Sequence, residues 1–153
     1  MLETEDYTLE ISVIIPVYNA AAYVRQAVES ALAQPEVREV LLVEDGSPDN
    51  ALEVCQQLAA EDQRVILLRH PNGENRGPGA SRNLGMRNAR SPILAFLDAD
   101  DYYLPGRFKL DKEIYAENPL CDGVYHAIGM HIEDSEGLER WNNAGKAPDQ
   151  IQT

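Results

Sequence analysis

Four apolar runs of strand length, parted by helical patterning, constrain this chain more than any other feature. The first, Ile11-Ser12-Val13-Ile14-Ile15-Pro16-Val17, is β-branched almost throughout. Tyr23, Val24, Ala27, Val28, Ala31 and Leu32 then recur with a helical period. A second strand, Glu39-Val40-Leu41-Leu42-Val43, is closed by Glu44-Asp45-Gly46-Ser47, where Ser47 reads as an N-cap with Pro48 at the first helical position. The helix it opens carries Leu52, Cys55, Leu58 and Ala59 on one side. Val65-Ile66-Leu67-Leu68 is a third strand, and a helix from Ala80 to Ala89 precedes the fourth, Ile93-Leu94-Ala95-Phe96-Leu97. Strands apolar on both faces need cover on both faces. A mostly parallel central sheet flanked by helices, a three-layer α/β/α unit, is therefore expected.

In such sheets ligands bind outside the carboxyl ends of the strands. The polar endings at Tyr18-Asn19, at Glu44-Asp45 and at Asp98-Ala99-Asp100-Asp101 then share one edge. The last is the most telling, because clustered carboxylates repel one another and resist desolvation unless a cation neutralises them. Hard oxygen ligands suit Mg²⁺ or Mn²⁺, ions that commonly bridge a protein carboxylate to phosphates. Gly77-Pro78-Gly79-Ala80-Ser81-Arg82-Asn83 joins a tight loop to a helix start, which suits the close approach of an anion but matches neither the dinucleotide nor the P-loop fingerprint.

Each of these residues also has a plain structural role to set against the chemical one. Asp-Gly-Ser is ordinary turn chemistry, with Asp45 starting the turn and Glu44 ending the strand. Pro16 ends a strand and Asn19 caps the next helix. Tyr18 either stacks on a base or packs in the core, and Arg82 either meets phosphate or forms a surface ion pair. His70 reads as a loop residue, and His126 and His131 face opposite ways along a strand.

The net charge of −13 argues against nucleic acid as a partner and makes a bound cation useful to any anionic substrate. Cys55 and Cys121 have no metal or redox spacing and read as buried thiols. The acidic amino terminus, Met1-Leu2-Glu3-Thr4-Glu5-Asp6, does not resemble a signal peptide, and no apolar run reaches the ~18 residues of a membrane span. A cytoplasmic protein is expected, free or peripheral at the inner face of the membrane. Further on, Leu104 to Glu117 reads as a helix with Phe108, Leu110, Ile114 and Tyr115 as its apolar content. Val124 to Ile132 reads as a strand, Glu133 to Gly137 as a hairpin turn, and Asn142 to Thr153 as a loosely ordered tail.

In order, Val13-Ile14-Ile15-Pro16-Val17-Tyr18-Asn19, Val43-Glu44-Asp45-Gly46-Ser47, Asn75-Arg76-Gly77-Pro78-Gly79-Ala80-Ser81-Arg82-Asn83 and Leu97-Asp98-Ala99-Asp100-Asp101 resemble a family 2 glycosyltransferase. The resemblance covers roughly residues 10 to 135. It implies a GT-A, Rossmann-like fold and inverting transfer from a nucleotide-diphosphate sugar, most often a UDP-sugar, to an acceptor hydroxyl. On this chain it implies that Pro16, Val17, Tyr18 and Asn19 embrace the uridine and that Glu44 or Asp45 binds the uracil edge. Asp98 and Asp100 would form the family's Asp-x-Asp site for Mn²⁺ or Mg²⁺, with Asp100 the direct ligand. Gly77, Arg82, Asp98 and Ala99 would complete the donor pocket.

Two departures stand out. Glu44 replaces the family's more usual aspartate and extends its carboxylate by about 1.5 Å. Few residues follow Asp100, so the acceptor-binding portion and its catalytic base are expected to lie elsewhere, and Glu133 and Asp134 in their turn are poor substitutes. The expected organisation is a nucleotide-sugar-binding domain over 1–135 and a tail over 136–153. The leading reading is a metal-dependent inverting glycosyltransferase, and the alternatives are the donor half of such an enzyme or a non-catalytic nucleotide-sugar-binding module. Its acceptor would be a saccharide, lipid or protein, and a homodimer is admitted. A phosphoacceptor receiver domain is excluded, since it needs an acid pair after the first strand and a lysine ending a late one, whereas the lysines are Lys109, Lys112 and Lys146.

Overall fold

The computed structural model describes residues 8–126 and Glu139. The chain divides into two compact units, Met1–Pro119 and Leu120–Thr153. The first holds every element assigned below. The expected boundary at 135/136, the turn at Glu133 to Gly137 and the tail from Asn142 lie outside the described residues. The expected strand from Val124 does too beyond His126, and Val124 to His126 are not strand.

The alternation read from the sequence is present. Strand β1 (Ile11–Val17) leads through helix α1 (Val24–Leu32) to β2 (Val37–Glu44), and helix α2 (Ala51–Glu61) leads to β3 (Val65–Arg69). Helix α3 (Gly77–Asn88), strand β4 (Ile93–Phe96) and helix α4 (Lys109–Glu117) follow. All strand pairings are parallel, in the order β3-β2-β1-β4.

The two faces of the sheet are covered differently because strand side chains alternate. Ile11, Val13, Ile15 and Val17 of β1, with Val40 and Leu42 of β2, share one core with Val24, Ala27, Val28 and Ala31 of α1 and with Ala51, Cys55 and Leu58 of α2. Ile14 points the other way, towards α3. There Gly85 lets the helix settle on the sheet, since a Cβ at that position would overlap the Ile14 side chain. The result is the three-layer arrangement. Among the described residues no helix is long and apolar enough to cross a membrane.

Several local expectations need correction. Helix α2 starts at Ala51, because Ser47 turns back to β1 instead of capping: its Oγ accepts from Asn19 N–H at 3.3 Å. Asn19 does not cap α1; it takes a left-handed φ of 52°, which asparagine tolerates better than most residues. Helix α3 begins at Gly77, with Pro78 in its first turn, where a missing N–H costs nothing. Strand β4 is not buried. It pairs only with β1 among the described residues, its residues are partly covered, and Phe96 is 46% exposed. Helix α4 begins at Lys109 and not Leu104, and Leu110 faces solvent. Cys55 is buried as expected. Burial first, then the charges of Glu44 and Asp49, push its thiol up to about 12, which leaves it inert. Cys121 is half-buried, with Sγ donating to the Gly123 carbonyl at 3.3 Å.

A buried carboxylate, Glu39, ties the sheet to the α3–β4 connection, paired with an exposed Arg90. Glu39 accepts from Ser12 Oγ at 2.7 Å, from Arg90 N–H at 2.6 Å and from Arg90 Nε at 2.7 Å. Burial pushes the Glu39 carboxyl up, but these bonds together outweigh it and hold the group below the usual carboxylate range. A depressed folded value means stability that is present above the unfolded value near ~4.3 and lost as pH falls through the folded one. Glu39→Gln is therefore expected to lower the urea midpoint at pH 7, by about 1–3 kcal/mol of stability. The gap to the native chain should narrow as pH drops below ~4. Equal gaps at pH 7 and pH 3.5 would show that the charge of Glu39 contributes nothing.

Candidate functional site

Three strand ends meet at one crevice. β1 runs on through Ile15, Pro16 and Val17 after its last pairing with β4, at Ile14 and Phe96, so the two strands part there. The strand order reverses direction at the same place, the position where open α/β sheets take ligands. The crevice opens into a cleft of about 520 Å³, a volume suited to a small molecule. Pro16 fits this location for a backbone reason. Ile14 C=O accepts from Leu97 N–H on the β4 side at 3.2 Å, and Pro16, two residues on, faces the same side, where no ladder donor is required.

One wall consists of Pro16, Val17, Tyr18, Asn19, Ala20 and Tyr23. Tyr18 is 53% exposed and Tyr23 48%, so both rings stand at the mouth instead of in the core. Tyr18 therefore does not pack in the core, and Tyr23 precedes α1 instead of belonging to its buried face. The wall is braced from behind by the β2–α2 loop. Asp49 accepts from Ala21 N–H at 2.9 Å and from Ala51 N–H at 3.1 Å.

The opposite wall is Asn75, Gly77, Pro78 and Arg82, at and just inside the amino end of α3. It is held by Asp45, which lines the cleft and is 2% exposed. Asp45 Oδ1 accepts from Arg76 N–H at 2.7 Å and Oδ2 from Gly77 N–H at 2.9 Å. His70 supports it from below: its Nε2 lies 3.1 Å from Ser81 Oγ and 3.6 Å from Asp45 Oδ1, and all three are buried. One ring nitrogen faces both groups, so this is no Ser-His-Asp triad, which needs the carboxylate on the other nitrogen. Gly46 completes the fit. Its φ is +67°, and a Cβ there would come within 2.8 Å of Asn75 N and Gly73 O.

Glu44 does not line the cleft. It is 1% exposed, with Oε1 accepting from Ser47 N–H at 2.6 Å and Oε2 from Arg69 Nε at 2.7 Å. Burial raises its carboxyl, and the bonds from Ser47 and Arg69 bring it below the usual range, so it is an internal anion that shapes the loop. Every other residue expected at the donor site lines the cleft.

The third wall is Asp98, Ala99 and Asp100. Leu97 and Ala99 are buried while Asp98 and Asp100 are exposed, so apolar anchors alternate with acids and present both acids on one side. Asp98 Oδ1 meets Arg82 Nη2 at 2.6 Å across the cleft. Burial first, then the negative charges of Asp100 and Asp98, raise the Asp101 carboxyl. The segment beyond is pinned to α1 and to Gln34 just after it. Tyr103 N–H donates to Ser30 Oγ at 3.0 Å, Gln34 Nε2 donates to Leu104 C=O at 3.2 Å, and Gln34 Oε1 accepts from Arg107 N–H at 3.0 Å. Tyr103 O–H donates to Phe96 C=O at 2.9 Å, fixing the acidic turn from both ends.

Ala20, Tyr23, Asn75 and Pro78 also line the cleft, and the sequence reading assigned none of them. Pro78 and Ala20 directly follow Gly77 and Asn19, and Asn75 opens the Asn75–Asn83 motif. The signal for His70 was its place directly after β3, since Arg69 is in register with Glu44 and His70 therefore abuts Asp45. Glu133 and Asp134 lie outside the described residues.

The model for glycosyl transferase family 2 matches residues 12–148. A succinoglycan biosynthesis protein of Rhizobium meliloti, ExoU, is 41% identical over 98 residues, which are 64% of this chain and 28% of that protein. Staphylococcus aureus TarS, in a crystal structure with UDP, aligns with a TM-score of 0.62 and 27% identity over 72% of this chain and 33% of that one. A mannosyltransferase from Pyrobaculum calidifontis, solved with GDP-Man and Mn²⁺, aligns with a TM-score of 0.60 and 25% identity over 73% and 33%. The chain thus spans about a third of the length of these solved relatives. With its parallel four-stranded sheet between helices and its four motifs gathered at one edge, the chain belongs to glycosyl transferase family 2 and has the GT-A fold.

Proposed function

We propose that this chain binds a nucleotide-diphosphate sugar, a UDP-sugar first, together with a divalent cation, as the donor half of an inverting glycosyl transfer. The observation that carries this is the convergence of four separated sequence segments on one cleft at the reversal point of the sheet. A relative solved with UDP and another solved with GDP-Man and Mn²⁺ support it.

The residues fit such a cation. Asp98 and Asp100 offer hard carboxylate oxygens at the cleft, and among the described residues no group of three or more metal-binding side chains is assembled. That set suits an ion that takes one or two carboxylates and completes its shell with phosphates. Bound there, the cation would supply Lewis-acid stabilisation of the departing diphosphate. Asp100 would hold it, with Asp98 beside it.

The chain's own groups do the rest. The Tyr18 ring gives a face for the base, and Asp45 with Asn75 frames the base edge. The amino end of α3 favours the negative charge of the diphosphate. The acceptor must lose a proton as it attacks the sugar from the face opposite the diphosphate. With the cleft acids committed to the donor, that base is assigned outside the described residues.

Tyr18→Ala tests the donor reading. Base stacking on an aromatic ring is worth about 1–3 kcal/mol, so UDP affinity should fall on the order of tenfold, with or without Mn²⁺. Unchanged affinity would remove Tyr18 from the site. Because the chain spans only a third of these relatives, a binding module without turnover is the second reading. Release of sugar from a UDP-sugar by this polypeptide would rule it out.

A further inference from the structure

The Arg82–Asp98 pair closes part of the cleft with the chain's own charges. Arg82 Nη2 and Asp98 Oδ1 are 2.6 Å apart, both residues line the cleft, and both side chains are partly exposed, at 35% and 56%. The guanidinium comes from α3 and the carboxylate from the turn after β4, so the bond crosses the space that a donor diphosphate would enter. Asp100, on the same turn, lines the cleft and makes no hydrogen bond or ion pair among the described residues.

We infer that Arg82 is a built-in counter-ion that makes cation and nucleotide bind as a coupled pair. Resting on the donor-site reading above, this assigns Arg82 a second role beyond lining the pocket. While Asp98 is held by the guanidinium, a divalent cation arriving alone meets one available carboxylate, Asp100, and a positive charge nearby. A diphosphate offers the planar guanidinium a bidentate partner of higher charge. Arg82 then turns to phosphate and Asp98 is released to the cation. Each ligand removes an obstacle to the other, and thermodynamic linkage makes the enhancement equal in both directions.

The test is Mn²⁺ binding followed by electron paramagnetic resonance, with and without saturating UDP, in the native chain, Arg82→Gln and Arg82→Lys. In the native chain UDP should tighten Mn²⁺ on the order of tenfold or more. Arg82→Gln should bind Mn²⁺ alone about fivefold tighter, the size of one partly exposed ion pair, and its enhancement by UDP should shrink by at least that factor. Arg82→Lys keeps the charge and should stay within about twofold of native for Mn²⁺ alone. If Arg82→Gln leaves Mn²⁺ affinity and the UDP enhancement unchanged while the native chain binds both ligands, the counter-ion role is wrong and the donor site stands. A fivefold gain in Arg82→Lys would also overturn it, because the charge remains. If the native chain binds no UDP even with Mn²⁺, the donor-site reading and this inference fall together.

Discussion

Asp100→Ala is expected to abolish the enhancement of UDP binding by Mn²⁺ while leaving the fold intact. Asp100 is exposed at the cleft and its carboxylate is not spent on any neighbour among the described residues, so little native structure depends on it. Surface substitutions of this kind stay within about ±0.5 kcal/mol, a shift in Tm of only a degree or two. The binding effect should be far larger. Site-to-site couplings typically run from about 5- to 150-fold, and loss of the principal ligand should remove all of it. Titration of UDP into the variant should therefore give one affinity with or without Mn²⁺, close to the metal-free affinity of the native chain. A retained enhancement would move the cation away from Asp100.

Asp45→Ala should do the opposite kind of damage. Asp45 is buried and accepts two backbone N–H groups, from Arg76 and Gly77, that begin α3. Hydrogen bonds to a charged acceptor contribute about 1.5–3 kcal/mol each, and both donors would be left without a partner. A loss of about 3–5 kcal/mol is expected, lowering Tm by roughly 10 °C or more. UDP affinity should fall as well, because the wall at Asn75, Gly77 and Pro78 loses its anchor, and Mn²⁺ should not restore it. Asp45→Asn keeps an acceptor oxygen and should recover part of the stability. An unchanged melting temperature in Asp45→Ala would mean that the α3 start is held by something else.

The parts that were legible in the sequence depend on short-range pattern. Apolar runs of strand length marked the strands, and polar residues directly after Val17, Val43 and Leu97 marked a common edge because parallel strands put all such ends together. What was not legible depends on distant partners. Ser47 and Pro48 look like a helix start, yet Ser47 is used to bind β1 and the helix waits for Ala51. Glu39, Gln34 and His70 are polar and would be expected at the surface, but Arg90, Arg107 and Ser81 meet them inside. The composition of Ile93 to Phe96 does not distinguish an edge strand from a central one. Only the pairing does.

Glu44 illustrates the limit at the site itself. The motif Glu44-Asp45-Gly46 marks the right loop, but two adjacent acids at a strand end point in different directions. Glu44 turns in to Arg69 and Ser47, while Asp45 faces the cleft. Spacing alone assigns the chemistry to the pair and cannot divide it between them.

A donor-nucleotide site completed by a cation must bind UDP and must bind it tighter when the cation is present. Calorimetric titration of UDP into the native chain, with and without Mn²⁺, tests it most directly. Saturable binding at one site is expected, tightening on the order of tenfold or more when Mn²⁺ is present. No heat of binding under either condition would contradict it, and the convergence of the four motifs would then be architecture without a bound donor.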